Sequence, residues 1–219
     1  MLHSPPQGKA LFTHARRPEG SPVRDYYQRF AHQYRDATFS IDPSPFLEPL
    51  IRLMPPPARI LDIGCGSGRD MLWLEKRGYR AEGIERSTAL ARFAREVTGC
   101  RVLEADFETF DFSSTHADAL LLVGALVHTP RERFAPILTR MLPALPEGGL
   151  VYLSLKEGEG VSRRDDGRVF HLWREDDLEK DLHASGLQVL HGSRNVSSLD
   201  PKDVWLGRVL RKGGETERP

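Results

Sequence analysis

A short apolar run, Ile60 to Ile63, is joined to a helical pattern by three glycines at alternate positions, Gly64, Gly66 and Gly68. The run reads as a strand, because Pro55-Pro56-Pro57 before it cannot join a β-ladder and so marks where the strand begins. The glycines let the backbone turn sharply and let a ligand approach where a Cβ would collide. The helix that follows directs unpaired N–H groups and its positive dipole end at the turn. We therefore expect a ligand with a negative or polar end there.

The spacing of these glycines narrows the choice of ligand. The dinucleotide fingerprint needs glycine at its first, third and sixth positions, and the sixth position counted from Gly64 is Arg69. The sequence from Asp62 to Gly68 instead reads Asp-x-Gly-x-Gly-x-Gly. This pattern resembles motif I of the class I S-adenosylmethionine-dependent methyltransferases. The resemblance implies that the loop holds the methionine portion of the cofactor.

Two acidic residues follow at strand ends. Glu85 closes the second predicted strand, 23 residues after Asp62, and an acidic residue about 20 residues beyond such a loop can accept hydrogen bonds from both ribose hydroxyls. The alternative is a solvated glutamate at a strand end. Asp106-Phe107 ends the third predicted strand and resembles motif II, in which the carboxylate takes the adenine amino group and the next residue packs on the ring. Taken alone, Asp106 would be a turn residue.

An aromatic stripe precedes the glycine loop. Residues from Asp25 to Thr38 are predicted to form a helix with aromatic side chains at helical spacing, and pattern alone favours a scaffold helix packed on the core. In the methyltransferases that the chain resembles, a tyrosine-rich helix at this place is a lid over the cofactor. Tyr26, Tyr27, Tyr34 and Thr38 match that pattern.

His128 is the candidate general base. It follows a continuous apolar strand, Asp118 to Val123, that is predicted to be buried on both faces of a parallel sheet. It precedes a helix that Thr129 and Glu132 are predicted to cap. His128 should therefore face the crevice at the carboxyl edge of the sheet, where ligands of open α/β sheets bind, with a neutral imidazole. The alternative is a histidine that only hydrogen-bonds the backbone where the helix begins.

The candidate site residues form two groups. Those expected to take part in catalysis are His128, Tyr27 and Tyr34. The residues that the resemblance places around the cofactor are Asp62, Gly64, Cys65, Gly66, Gly68, Glu85, Arg86, Asp106, Phe107, Gly124, Tyr26 and Thr38. Lys156 and Arg174 are available for an acidic substrate, and Arg163-Arg164 for a local basic patch. No metal is expected.

Composition limits the other classes of function. The 219 residues contain 31 basic and 31 acidic side chains, so no global field recruits nucleic acid. Two cysteines do not suggest a disulfide framework or a zinc site. The sequence has no secretory signal and no apolar stretch near the roughly 20 residues of a membrane span. We expect a cytoplasmic protein, a monomer or a homodimer, without membrane contact.

The order of predicted elements gives the fold class. Alternating strands and helices predict an α/β fold with a doubly wound, mostly parallel sheet. The resemblance adds that it is Rossmann-like and seven-stranded, with its last strand antiparallel, and that N-terminal lid helices cover it. We expect a loosely ordered arm at 1–22, one domain at 23–212 and a tail at 213–219. Within the domain, 23–56 would be the helical lid and scaffold and 57–212 the core.

The predicted function is methyl transfer from S-adenosylmethionine, with S-adenosylhomocysteine as product, to an O, N, S or other chalcogen atom of a small molecule. Three alternatives stay open. The first is a methyltransferase acting on tRNA or another RNA, against which the zero net charge argues. The others are a dinucleotide oxidoreductase, disfavoured by Arg69, and a catalytically silent protein that only binds the cofactor.

Overall fold

A computed structural model of the chain describes the backbone of residues 22–213 and the side chains of residues 26–213. The predicted arm and tail fall almost entirely outside this range and stay predictions. The helices are α1 Pro22–Arg29, α2 Ala31–Thr38, α3 Ser44–Ile51, α4 Arg69–Glu75, α5 Thr88–Thr98, α6 Arg131–Met141 and α7 Glu175–Ala184. The strands are β1 Arg59–Ile63, β2 Arg80–Glu85, β3 Val102–Glu104, β4 Ala119–Val123, β5 Leu150–Lys156, β6 Val161–Arg163, β7 Val169–His171, β8 Leu187–Val196 and β9 Val204–Lys212.

Seven strands form one sheet in the order β3-β2-β1-β4-β5-β9-β8. Strands β1 to β5 pair in parallel, whereas β9 is antiparallel to both β5 and β8. The predicted Rossmann-like fold with an antiparallel last strand is therefore confirmed. The chain leaves β1 towards β2 on one side and later returns to β4 on the other, so a crevice opens between the carboxyl ends of β1 and β4.

The central strand β4 shows why the sheet is buried on both faces. Its first four residues are fully buried. Leu120 and Leu122 pack into the hydrophobic cluster on one face, whereas Ala119 and Leu121 pack into the cluster on the other. Successive side chains of a strand point to opposite faces, so a strand between two helical layers must be apolar throughout. The continuous apolar run predicted this arrangement correctly.

Three local predictions were wrong. The helix predicted from Asp25 to Thr38 is broken at Phe30, whose φ of −110° and ψ of 28° are not helical. The polar composition of Val161 to Arg168 predicts a loop, but this segment contains β6, which pairs antiparallel with β7 as a second small sheet. The capping residue of α6 is Pro130 and no side chain caps the helix, so the cap predicted at Thr129 does not form.

Among residues 22–213, no helix is long and apolar enough to cross a bilayer.

Candidate active site

The glycine loop leaves β1 in a backbone conformation that only glycine adopts readily. Gly64, Gly66 and Gly68 have φ values of 74°, 54° and 79°, in the left-handed region where a Cβ is strained. The N–H of Gly66 donates to a carboxylate oxygen of Glu85 at 2.9 Å. A Cβ built on Gly66 would lie 3.4 Å from the ring of Tyr34. The loop therefore meets the predicted lid, α1 and α2, at this glycine.

Gly68 and Cys65, two of the residues predicted to bind the cofactor, pack against neighbouring helices and strands instead of facing a cavity. A Cβ on Gly68 would lie 3.0 Å from Ala94 and Thr98, so this glycine allows α4 and α5 to approach each other. The Cys65 thiol is buried against Gly83 of β2, and burial raises its pKa. Neither residue lines the cavities described below. Any contact of Cys65 with a ligand must come from its backbone.

Glu85 connects the loop to the next helix. One of its carboxylate oxygens accepts from Gly66 and the other accepts from the N–H of Ser87 at 2.7 Å. Ser87 in turn caps α5 by accepting from the N–H of Leu90. The Glu85 side chain is only 9% exposed, and burial raises its pKa against the opposing effect of these hydrogen bonds. Each carboxylate oxygen has a second lone pair, so the group can still accept from a ligand.

Asp62 lies buried beneath the loop. Its Oδ2 has no hydrogen-bond partner among the described residues. Burial raises its pKa, and the neighbouring Asp70 carboxylate raises it further, while Arg69 opposes both. Arg69 forms a two-pronged ion pair with Asp70 at 2.6 and 3.0 Å. The acidic group of the motif is therefore held under the loop rather than on a cavity wall.

A first cavity of about 140 Å³ lies over the loop. Among the predicted site residues it is lined by Gly64, Gly66, Glu85, Arg86, Phe107, Gly124, Tyr27, Tyr34 and His128.

Asp106 lies outside the wall of the first cavity. Its carboxylate accepts from the N–H of Glu108 at 3.0 Å and lies 3.8 Å from Arg86. In this structure the side chain therefore shapes a turn, which was the alternative reading of this residue.

A second cavity of about 340 Å³ adjoins the first. The two share four wall residues, Tyr27, Tyr34, Val123 and Gly124. Gly124 follows β4 directly with a φ of 65°, and a Cβ there would lie 3.3 Å from the ring of Trp205. Thr38 lines the second cavity, whereas Tyr26 lines neither and packs on Phe30.

Tyr27 and His128 form a hydrogen bond across the site at 2.9 Å. The Nδ1 of His128 is paired with the carbonyl oxygen of Val169, and because a carbonyl only accepts, Nδ1 carries the hydrogen. Nε2 is then the acceptor and Tyr27 the donor. Burial is the largest cause that lowers the pKa of His128, to about 4. The imidazole is therefore neutral at pH 7, as predicted, although burial rather than the α6 dipole is the main reason.

Tyrosines of α1 and α2, the predicted lid, attach these helices to the rest of the molecule. The Ser87 hydroxyl donates to the carbonyl oxygen of Tyr27 at 3.1 Å. The ring of Tyr34 contacts that of Tyr27 edge-on, with centroids 5.1 Å apart. Burial raises the pKa of Tyr34 to about 12 and that of Tyr27 further still, so both hydroxyls stay protonated. Arg168 lies over the ring of Tyr26 at 4.3 Å.

Several wall residues of the second cavity were not predicted as site residues. They are Arg164, Arg168 and Phe170 of the β6–β7 segment and Asp203 and Trp205 at the start of β9. The only sequence signal was the basic pair at Arg163-Arg164. The two basic residues predicted to be available for an acidic substrate, Lys156 and Arg174, differ in location. Lys156 lies buried in the wall, whereas Arg174 is exposed beside Glu159 and lines neither cavity.

Within the described part of the chain, no group of three or more His, Cys, Asp or Glu side chains could hold a metal ion.

Comparison with known proteins agrees with this geometry. Residues 60–149 match a family model described as a methyltransferase domain. This span runs from β1 to the turn before β5 and so contains the glycine loop, Glu85 and His128. No curated protein matches the chain.

Solved structures share the fold at low identity. The 1,6-didemethyltoxoflavin-N1-methyltransferase of Burkholderia thailandensis, solved with 1,6-didemethyltoxoflavin and S-adenosylhomocysteine, has a TM-score of 0.71 at 21% identity over 91% of this chain and 94% of its own. The magnesium protoporphyrin IX methyltransferase of Synechocystis PCC 6803, solved with S-adenosylmethionine, has a TM-score of 0.68 at 15% identity over 92% and 100%. At these identities the similarity shows the fold.

Proposed function

We propose that this class I S-adenosylmethionine-dependent methyltransferase transfers the methyl group to a small-molecule acceptor held in the second cavity. The observation that carries the proposal is the contact between the two cavities, which share Tyr27, Tyr34, Val123 and Gly124 as walls. Two reactants held on either side of such a junction are oriented without a large conformational search, and orientation is the main contribution an enzyme makes to this chemistry. About 340 Å³ suits a small ligand.

The residues of the first cavity fit the cofactor. The left-handed glycine loop would let the backbone approach the methionine portion, and the buried Glu85 carboxylate on the cavity wall would accept from the ribose hydroxyls. Phe107 and Leu90 supply apolar surface for the adenine. When bound, S-adenosylmethionine supplies a methyl group made electrophilic by the sulfonium, so the reaction needs no metal and no protein nucleophile. The chain must therefore bind, orient and exclude water.

For an acceptor that must lose a proton, we propose that His128 and Tyr27 act as a pair. Nε2 of His128 already accepts a hydrogen bond from the Tyr27 hydroxyl. An acceptor hydroxyl next to Tyr27 would give its proton to the tyrosine oxygen while Tyr27 passes its own proton to Nε2. The result is a deprotonated acceptor and an imidazolium, with Tyr27 unchanged. Tyr34 would position Tyr27 through their ring contact.

Replacing Glu85 by alanine will weaken S-adenosylhomocysteine binding by roughly 1–3 kcal/mol, the usual loss for a buried polar partner. This corresponds to about 5- to 150-fold in Kd by calorimetry. Glu82→Ala is the matched control, because Glu82 is exposed on the same strand and pairs with Arg101. NAD should not bind in a saturable manner to any of the three proteins. Unchanged affinity in Glu85→Ala, or tight NAD binding, would contradict the assignment.

The proposed function is tested with S-adenosylmethionine labelled at its methyl group and a panel of thiols, phenols, amines, carboxylic acids and bulk tRNA. We expect label to appear on a small molecule. Transfer to tRNA alone would favour the RNA-modifying alternative. Binding of S-adenosylhomocysteine without transfer to any acceptor would favour the catalytically silent one.

A further inference from the structure

The wall of the second cavity is rich in basic side chains. Arg69, Lys156, Arg164 and Arg168 line it, against two acidic residues, Asp200 and Asp203. The carboxylates that pair with Arg69 and Arg168 are those of Asp70 and Asp166, and neither lines the cavity. The wall itself therefore carries four basic and two acidic side chains, while Asp70 and Asp166 compensate Arg69 and Arg168 from behind it.

One carboxylate forms ion pairs with two of these basic side chains. Asp203 pairs with both Lys156 and Arg164, and Arg164 also reaches Asp200 at 3.2 Å. The Nε–H of Arg164 has no acceptor among the described residues, and its side chain is 34% exposed. Lys156 is almost fully buried, and Asp203 supplies the opposite charge that a buried ammonium needs. An anionic group can join this cluster with N–H donors still available to it.

Aromatic rings stand beside the same cations. The ammonium of Lys156 lies 4.0 Å from the ring centroid of Phe170 and 5.6 Å from that of Trp205. Arg168 lies 5.5 Å from the Phe170 centroid. Flat apolar surface next to fixed positive charge suits a ligand that combines a ring with an acidic group.

Two aromatic rings lie between the cluster and the junction with the first cavity, because Phe170 contacts the ring of His128 and Trp205 lies against Gly124. Arg164, Lys156, Asp200 and Asp203 line the second cavity only. A molecule whose anionic end sits on the cluster can therefore extend its other end towards Gly124 and Tyr27. The cluster and the rings beside it belong to β5, β7, β9, the β6–β7 connection and the connection at 197–203, all outside the matched residues 60–149. Loops and edges of this kind carry specificity on a shared scaffold.

We propose that the methyl acceptor is an aromatic acid, a planar ring system bearing a carboxylate or an equivalent anionic group that binds at Arg164 and Lys156. This inference rests on the proposed function and narrows its substrate class.

The test is a binding measurement that needs no turnover. The protein saturated with S-adenosylhomocysteine is titrated with 2-naphthoate, with its neutral isostere 2-naphthamide and with the cationic 2-naphthylmethylamine. We expect 2-naphthoate to bind at least about tenfold more tightly than either, since a charge-assisted contact of this kind contributes more than about 1.4 kcal/mol. Equal or tighter binding of the amide or the amine would overturn the proposal.

Matched variants locate the effect. Arg164→Gln should remove the preference for 2-naphthoate and leave S-adenosylhomocysteine affinity unchanged. Arg164→Lys should keep most of the preference for 2-naphthoate, because the positive charge remains. Arg163→Gln is the control, since Arg163 is exposed and lines neither cavity. A preference that survives in Arg164→Gln would overturn the assignment of this site. Absence of S-adenosylhomocysteine binding in the parent protein would instead remove the proposed function.

Discussion

Gly66→Val will abolish measurable binding of S-adenosylhomocysteine while the protein stays folded. At a φ of 54° a β-branched residue is strained by about 1–3 kcal/mol. Its Cβ would already lie 3.4 Å from the Tyr34 ring, so the γ-carbons extend into the space between the loop and the lid. Because Gly66 lines the first cavity, this is the space that the ligand must enter. Calorimetry measures the loss, and circular dichroism checks the fold.

Gly99→Val separates this local effect from backbone strain. Gly99 ends α5 with a φ of 69°, and a Cβ there would have no neighbour within 4 Å. The variant carries a similar strain far from either cavity, so its affinity should equal that of the parent. If Gly66→Val bound S-adenosylhomocysteine as well as Gly99→Val does, the loop would not be the cofactor site.

His128→Ala will lower turnover by roughly 10²–10⁴ when the acceptor is a hydroxyl or another weak acid, the usual contribution of a positioned base. The cofactor affinity should stay intact. In the parent protein the rate should fall on the acid side of the pH–rate profile only below about pH 4. Burial lowers the pKa of His128 to about 4, and the neutral imidazole is the active form. A histidine with an ordinary pKa would begin to lose activity near pH 6.5.

His171→Ala is the matched control for this change. His171 lies in β7, next to the wall residue Phe170, and lines neither cavity. Its loss should leave turnover near the parent value. With a thiolate acceptor, which needs no base, His128→Ala should also do little. A large loss of cofactor affinity in His128→Ala would mean that the residue supports the binding loop, and the assignment as a base would fall.

The parts of the fold that could be predicted are those that depend on the conformation and hydrogen bonds of a short stretch of sequence. The glycine loop specifies its own turn, because residues 64, 66 and 68 all need the left-handed region. Ser87 and Gly99 predict where a helix begins and ends, since caps depend on local hydrogen bonds, and these two residues flank α5. The sequence also predicts a strand from Leu187 to Val196, and β8 has these bounds.

What could not be predicted depends on contacts between distant segments. Tyr27 and His128 are 101 residues apart, and nothing in either local sequence pattern indicates that their side chains form a hydrogen bond. Cys65 and Asp62 belong to the recognised motif, but burial turns their side chains away from the cavities.

The second cavity is harder still to foresee. Besides residues at the ends of β4, β5 and β9, its walls include side chains of α2, of the β6–β7 hairpin and of the connection at 197–203, and each of these last three segments is predicted separately as a helix or a polar loop.

The structure of the complex with S-adenosylhomocysteine tests the central claim most directly. We predict the ligand in the first cavity, with its ribose hydroxyls on the Glu85 carboxylate, its amino-acid portion over Gly64 and Gly66, and its sulfur facing the junction at Gly124 beneath Tyr27. A ligand bound elsewhere, or a first cavity that stays empty at saturating concentration, would contradict the assignment of this site.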